Sequence, residues 1–171
     1  MPRAIDLSSQ WFWEDIEVGY VGFGLSRTIQ HADIINYANY TRDYQQVHVD
    51  REFSKTSLYG DVILHGLAGV SMASGMLLRT DFGTHTLRTM LTCLGYKTIK
   101  FPAPILVDDT VGLRFEVIDT SAYDGRSDVG LVEMRLDMTN QRGVLVSTHT
   151  RTYLFAARDY DFEAISTQGR F

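Results

Sequence analysis

The chain has 171 residues, a formal net charge of −5, 44% hydrophobic and 22% charged residues, and one cysteine. That length supports one well-cored domain, expected here over residues 1–171. The absence of a Lys/Arg block excludes a duplex-binding surface or an anionic-membrane partner, because both need clustered positive charge. Cys93 alone makes neither a disulfide nor a thiolate metal cage, and "MPRAIDLSSQ" lacks the apolar core of a secretion signal, so the expected setting is cytoplasmic.

In chain order, residues 1 to about 16 read as a docking arm in which Trp11, Phe12 and Trp13 pack rather than stack on a ligand. The glycines at 19, 22 and 24 lead into a first strand. "HADIINYANY" sets Ala32, Ile35, Ala38 and Asn39 near one side, an approximate helical stripe that delivers the chain into "TRDYQQVHVD", Thr41 to Asp50. Val62 to Leu78 then holds no formally charged residue apart from any charge on His65, and small residues crowd it from Gly66 to Gly75. A globular helix without a polar side is expected to be buried all round, and its small residues let other backbone or a ligand approach the axis.

Downstream, "RTMLTCLGYKTIKF", "TVGLRFEVIDT", "VGLVEMRLDMT" and "VLVSTHTRTYLFA" are rich in β-branched and aromatic residues and read as four strands. "SAYDGRSD" and "NQRG" carry hairpin chemistry, so an antiparallel meander is expected, with "FPAPILVDD" as a break. The tail, about residues 157–171, is expected to pack on the outside or to fray. One apolar helix, a meander of four strands and one strand near the N-terminus give an α+β class: a curved antiparallel sheet wrapped around a central helix, the hotdog arrangement.

The run "TRDYQQVHVDREFSKTSLYGDVILHG" resembles the signature of the MaoC-type, R-specific enoyl-CoA hydratases: a small residue, Gly-Asp-x-Asn-Pro-aliphatic-His-x-Asp, then aromatic-Gly-x-x-Ile-x-His-Gly. Thr41, Asp43, Val47, His48 and Asp50 fall on the first part; Tyr59, Gly60, Ile63, His65 and Gly66 fall on the second with the spacing intact. "FPAPILVDDT" is similar to the family's Phe-x-x-Pro-Val-x-x-Gly-Asp-Thr loop, with Asp108 where glycine is usual. The likeness covers residues 12 to 155. Arg42 replaces the family's first glycine and Gln45-Gln46 its Asn-Pro, departures that bear on the substrate more than on Asp43 and His48.

The resemblance implies reversible hydration of a trans-2-enoyl-CoA, with no cofactor beyond the coenzyme A of the substrate, and at least a homodimer. It assigns Asp43 and His48 to acid/base work on one water, and Gly66 to the oxyanion donor at a helix N-terminus. Five residues apart, the pair suits a turning loop, since in a continuous helix they would diverge by about 140°. Ser74 matches a family serine that faces the site, although bonding to its own helix carbonyl is an equal expectation and the favoured one for Ser71. His65 is expected to hold a backbone group. Gln45 and Arg42 are expected to tune the substrate, Arg42 by receiving a second carboxylate on a dicarboxylic acyl group such as mesaconyl. Histidines 31, 85 and 149 show no ligand spacing, and no metal is expected. Two other functions compete. A hotdog thioesterase would place a carboxylate on or facing the helix from Gly66 to Leu78, which itself has none. A non-catalytic acyl-binding module would let Asp43 and His48 diverge or let Arg42 fill the tunnel.

Overall fold

Val111, Leu113, Phe115 and Val117 alternate with polar or small neighbours, and in the computed structural model, which describes residues 8–163, all four are buried on one face of a strand. That strand is β3 (Thr110–Tyr123), in a five-stranded antiparallel sheet with β1 (Val21–Thr28), β2 (Met90–Lys100), β4 (Arg126–Asn140) and β5 (Leu145–Ala156). Gly125 at φ 80° turns β3 into β4, and Gly143 at φ 74° precedes β5, the left-handed conformations that the Asp-Gly and Arg-Gly pairs supply at least cost.

The helices are α1 (His31–Thr41), α2 (Gln46–Val49), α3 (Arg51–Thr56), α4 (Gly66–Leu78) and α5 (Asp81–Thr86). Helix α4 lays Ala68, Val70, Ala73 and Leu77 into the core. Opposite them β4 contributes Val132, Met134, Leu136 and Met138, all inaccessible, and α5 contributes Phe82. The described part of the N-terminal arm docks: the Trp11 ring stands edge-on to Phe82 and Tyr20 and lies parallel to His85. Arg158 of the tail pairs with Asp15 of that arm.

Two expectations need correction. The strand order is β1-β3-β4-β5-β2, so the four downstream strands are not one meander: β2 pairs with β5 at the far edge. Short links force neighbouring strands together, but residues 101–109 are long enough to carry the chain across the sheet. Nor is α4 buried all round. Leu67, Ser71, Gly75 and Leu78 form an exposed stripe, because the sheet covers only one side of the helix.

The crossing segment positions the site. Leu64 N–H donates to Ile105 O (2.8 Å), Val107 N–H donates to Val62 O (3.4 Å), and Ile63 and Leu106 form an isolated bridge. The approach to α4, Val62 to Leu64, is thereby tied to the crossing segment.

Candidate active site

Helix α1 ends where Arg42 turns left-handed, φ 65° and ψ 17°. The loop beyond is tied by its own side chains: Asp43 N–H donates to Thr41 Oγ1 and Gln45 N–H to Asp43 Oδ1, each at 3.3 Å. The only non-glycine residues with positive φ among those described are Arg42 and Asp108, the two residues that stand in place of a motif glycine. An L-residue pays about 1–2 kcal/mol there, partly offset because glycine loses more backbone freedom on folding. Arg42→Gly is therefore expected to raise stability by up to about 1 kcal/mol and Tm by a few degrees, read by thermal melting; a lower Tm would contradict this.

Ile63 holds α2 through both of its backbone groups. Its N–H donates to Val47 O (3.1 Å), and its carbonyl accepts from His48 Nδ1 (2.8 Å). With Nδ1–H committed to a carbonyl, His48 keeps its free lone pair on Nε2. Burial pushes the His48 pKa below its usual 6.5, the Ile63 bond opposes this, His65 adds to the lowering and Asp43 opposes it. The imidazole is neutral at pH 7 and able to accept a proton.

His65 stands at the start of α4, buried, and donates Nε2–H to the Asp43 carbonyl (3.0 Å). Its ring stacks on His48 with centroids 3.7 Å apart. It thus holds a backbone group and braces the neighbouring imidazole. Ligand atoms of Asp43, His48 and His65 all lie within 4.8 Å of one another, a span that one water bridges with two ordinary hydrogen bonds. A cation could use the same spacing, but His65 Nε2 is already engaged, and the expectation of no metal rests on the sequence. Asp50 is the N-cap of α3, accepting from Phe53 N–H at 3.0 Å.

Gly66 is the first residue of α4, where the amide has no intrahelical partner. A Cβ there would stand 2.8–2.9 Å from ring atoms of Phe101, so any larger residue would have to push that ring aside. Phe101, which the sequence marks only as the first residue of the "FPAPILVDDT" match, lies against Gly66. Its ring borders two lobes of cavity, both lined by His48 and Gly66. One, about 360 Å³, is walled mainly by apolar groups including Leu58, Tyr59 and Val146. The other, about 300 Å³, adds Tyr37, Asp43 and His65.

The remaining candidates stand elsewhere. Arg42 lines neither lobe; its Nη1 lies 3.4 Å from the Tyr44 hydroxyl on the surface, so the dicarboxylate role loses its support. Gln45 caps α2 through its backbone, exposed and outside the cavity lining. Ser71 Oγ donates to Leu67 O (3.0 Å), as its helical position suggests. Ser74 also reaches its own helix carbonyl, Val70 O (3.4 Å), but in addition accepts from Arg151 (2.5 Å).

A five-stranded antiparallel sheet curved over one apolar helix defines the class as the hotdog fold. A Mycobacterium tuberculosis protein described as a double hotdog fold aligns with 90% of this chain and 47% of that one, at TM-score 0.74 and 19% identity. Residues 19–139 match the MaoC like domain, and the chain belongs to that family. A "3-hydroxybutyryl-CoA dehydratase" of Methylorubrum extorquens is 28% identical over 108 residues, 63% of this chain and 64% of the relative. An "(R)-specific enoyl-CoA hydratase" of Rhodospirillum rubrum is 28% identical over 100 residues, 58% of this chain and 65% of the relative. The chain spans just under two thirds of either relative. A "Monoamine oxidase regulatory protein" of Archaeoglobus fulgius is similar in structure at TM-score 0.80 and 29% identity, over 86% of this chain and 95% of that one. Among the described residues no helix is long and apolar enough to cross a membrane.

Proposed function

We propose that the chain adds water across the double bond of a trans-2-enoyl thioester of coenzyme A and catalyses the reverse dehydration. The observation that carries this reading is the convergence of Asp43, His48 and the Gly66 backbone on one cavity. With the thioester carbonyl on the Gly66 amide, charge developing on its oxygen meets the free N–H groups at the positive end of α4. His48 Nε2 and the Asp43 carboxylate hold a water between them; its hydroxyl adds to C3 and a proton is delivered to C2, the pair sharing acid and base duties. Coenzyme A enters as part of the substrate, and no other cofactor is called on. A thioester that reaches the Gly66 amide passes the Phe101 ring, which lines both lobes beside it.

The names of the relatives agree with this chemistry, and the competing readings have less to stand on. α4 carries no carboxylate for a thioesterase, while Asp43 and His48 neither diverge nor have Arg42 between them. Exposed Leu67 and Leu78 on α4, with Leu94 and Tyr96 on the unpaired edge strand β2, suit a second copy of the chain, and we include a homodimer in the proposal.

The decisive assay offers short, medium and branched enoyl-CoA substrates to the folded protein. Loss of the 2-enoyl absorbance supports the reading, and inertness across the panel sinks it. A pH profile adds a second check. Since burial lowers the pKa of His48, the acid limb of kcat/KM for hydration is expected to be centred below pH 6.5; an acid limb centred above 6.5 would contradict a buried, neutral His48.

A further inference from the structure

The inner face of β5 departs from the rest of the core. Where β4 presents Met138, Leu136 and Met134, the residues paired beside them on β5 are Ser147, His149 and Arg151, all at most 2% exposed. Their polar atoms are poorly matched: Ser147 Oγ, both ring nitrogens of His149 and Arg151 Nε have no partner. Buried polar groups normally find one, and a buried charge normally finds a counterion.

Arg151 is the most telling. Its Nη1 donates to Ser74 Oγ (2.5 Å) and to the Tyr153 hydroxyl (3.1 Å), and its Nη2 donates to Val70 O (2.6 Å). The Tyr96 ring covers it at 5.0 Å. Among the described residues no carboxylate pairs with it. Of the five guanidinium N–H donors, the Nε one and one on Nη2 remain. These two nitrogens form one edge of the fork, the edge that grips a carboxylate through two parallel hydrogen bonds.

The row also adjoins the site. Val146, next to Ser147, lines the larger cavity lobe, as does Phe101 immediately after β2. Val70 and Ser74, which hold Arg151, follow Gly66 by four and eight residues, about 6 and 12 Å along the helix. Ser147, His149 and Arg151 themselves line neither lobe, and the Tyr96 ring of the edge strand β2 covers Arg151, so an acyl chain running from the Gly66 amide along α4 reaches the row only as these core side chains move apart.

We propose that the free Nε/Nη2 edge of Arg151, reached past His149 and Ser147, is a subsite for a carboxylate on the distal end of the acyl group, so that the preferred substrate is an ω-carboxy-2-enoyl thioester of about six to eight carbons. The inference rests on the enoyl-thioester reading above. It concerns a different arginine from Arg42, whose side chain is exposed beside Tyr44.

Two measurements on the full chain test it. Calorimetry with unreactive saturated thioesters compares adipyl-CoA with hexanoyl-CoA and suberyl-CoA with octanoyl-CoA. Hydration assays compare trans-2-hexenedioyl-CoA and trans-2-octenedioyl-CoA with their monocarboxylic counterparts. The carboxylate-tipped member of one pair is expected to bind about 10-fold to 100-fold more tightly, the effect of hydrogen bonds to a charged group, and to show a higher kcat/KM. In Arg151→Met that ratio should collapse toward one. Arg151→Lys keeps a charge without the fork, is the fallback if Arg151→Met does not fold, and should retain only part of the preference. A wild-type ratio of one or less in both pairs overturns the proposal without any variant, and it leaves the hydratase reading standing if monocarboxylic enoyl-CoA is turned over. A ratio unchanged in Arg151→Met also overturns it. Carboxylate-dependent binding with no turnover of any thioester supports the subsite while sinking the hydratase reading.

Discussion

Asp43→Asn is expected to lower kcat/KM for enoyl-CoA hydration by about a thousandfold, within the range for losing a positioned acid/base group, with Tm nearly unchanged. The side chain is half exposed and its shape is preserved, so Asn retains Oδ1 as acceptor for Gln45 N–H. What it loses is the charge facing the His48–His65 pair. His48→Ala should cost activity to a similar degree but is a less clean change. It removes the donor on the Ile63 carbonyl and the ring stacked on His65, so about 1–3 kcal/mol of stability goes with it. Since the two groups handle one water, their effects are not independent, and the double variant is expected to be little worse than either single one. Steady-state kinetics on all three, each with its melting temperature, decides the matter. A loss under about tenfold in folded Asp43→Asn would remove Asp43 from the chemistry.

That pair was legible because its spacing is a local property. Asp43 lies in the loop before α2 and His48 within that short helix, and Tyr59 to Gly66 brings the start of α4 back beside them; no long-range fact is needed to place either segment in a motif. The strand alternation of β3 and the Asp124-Gly125 turn are legible for the same reason. What failed depended on tertiary neighbours. The composition of α4 says that it avoids water on every side, but not which side the sheet leaves bare, and so it does not single out Leu67 and Leu78 as exposed. The position of β2 is set by where residues 101–109 cross, which no turn residue declares. Phe101 appeared only as a motif letter before the pro-rich break, although its ring lies against Gly66. Arg151 was hidden differently. "STHTRTY" alternates Thr with Ser, His, Arg and Tyr, polar on both faces, so no apolar face marks the inward side. The glycine positions run the other way. Arg42 and Asp108 replace motif glycines and still adopt the left-handed backbone, which shows that the demand belongs to the turns and not to the residues occupying them.

The same β5 row predicts an acid sensitivity. His149 is inaccessible, and its pKa is pushed down from 6.5 to about 4, first by burial and then by the Arg151 charge, with Asp137 opposing. The unfolded chain therefore takes up this proton at a higher pH than the folded one. Stability is full above pH 6.5, is lost as pH falls from 6.5 towards 4, and stops falling on this account below 4; the whole interval is worth about 3 kcal/mol. Leucine has nearly the volume of histidine and no polar atoms to leave unmatched. His149→Leu should thus be no less stable at pH 7 and should lose about 3 kcal/mol less than the parent between pH 7 and pH 4. His48, also pushed down by burial, contributes with the same sign and remains in the variant, so some acid loss persists. Urea midpoints at pH 7, 5.5 and 4 make the comparison, and equal losses in the two proteins would clear His149 of the effect. Repeating the titration with adipyl-CoA bound joins this result to the subsite. A carboxylate seated on Arg151 offsets the charge that helps keep His149 neutral, so the bound protein should lose less stability between pH 6.5 and pH 4 than the free protein, by more than the ligand's own protection explains; an equal loss would place that carboxylate away from β5.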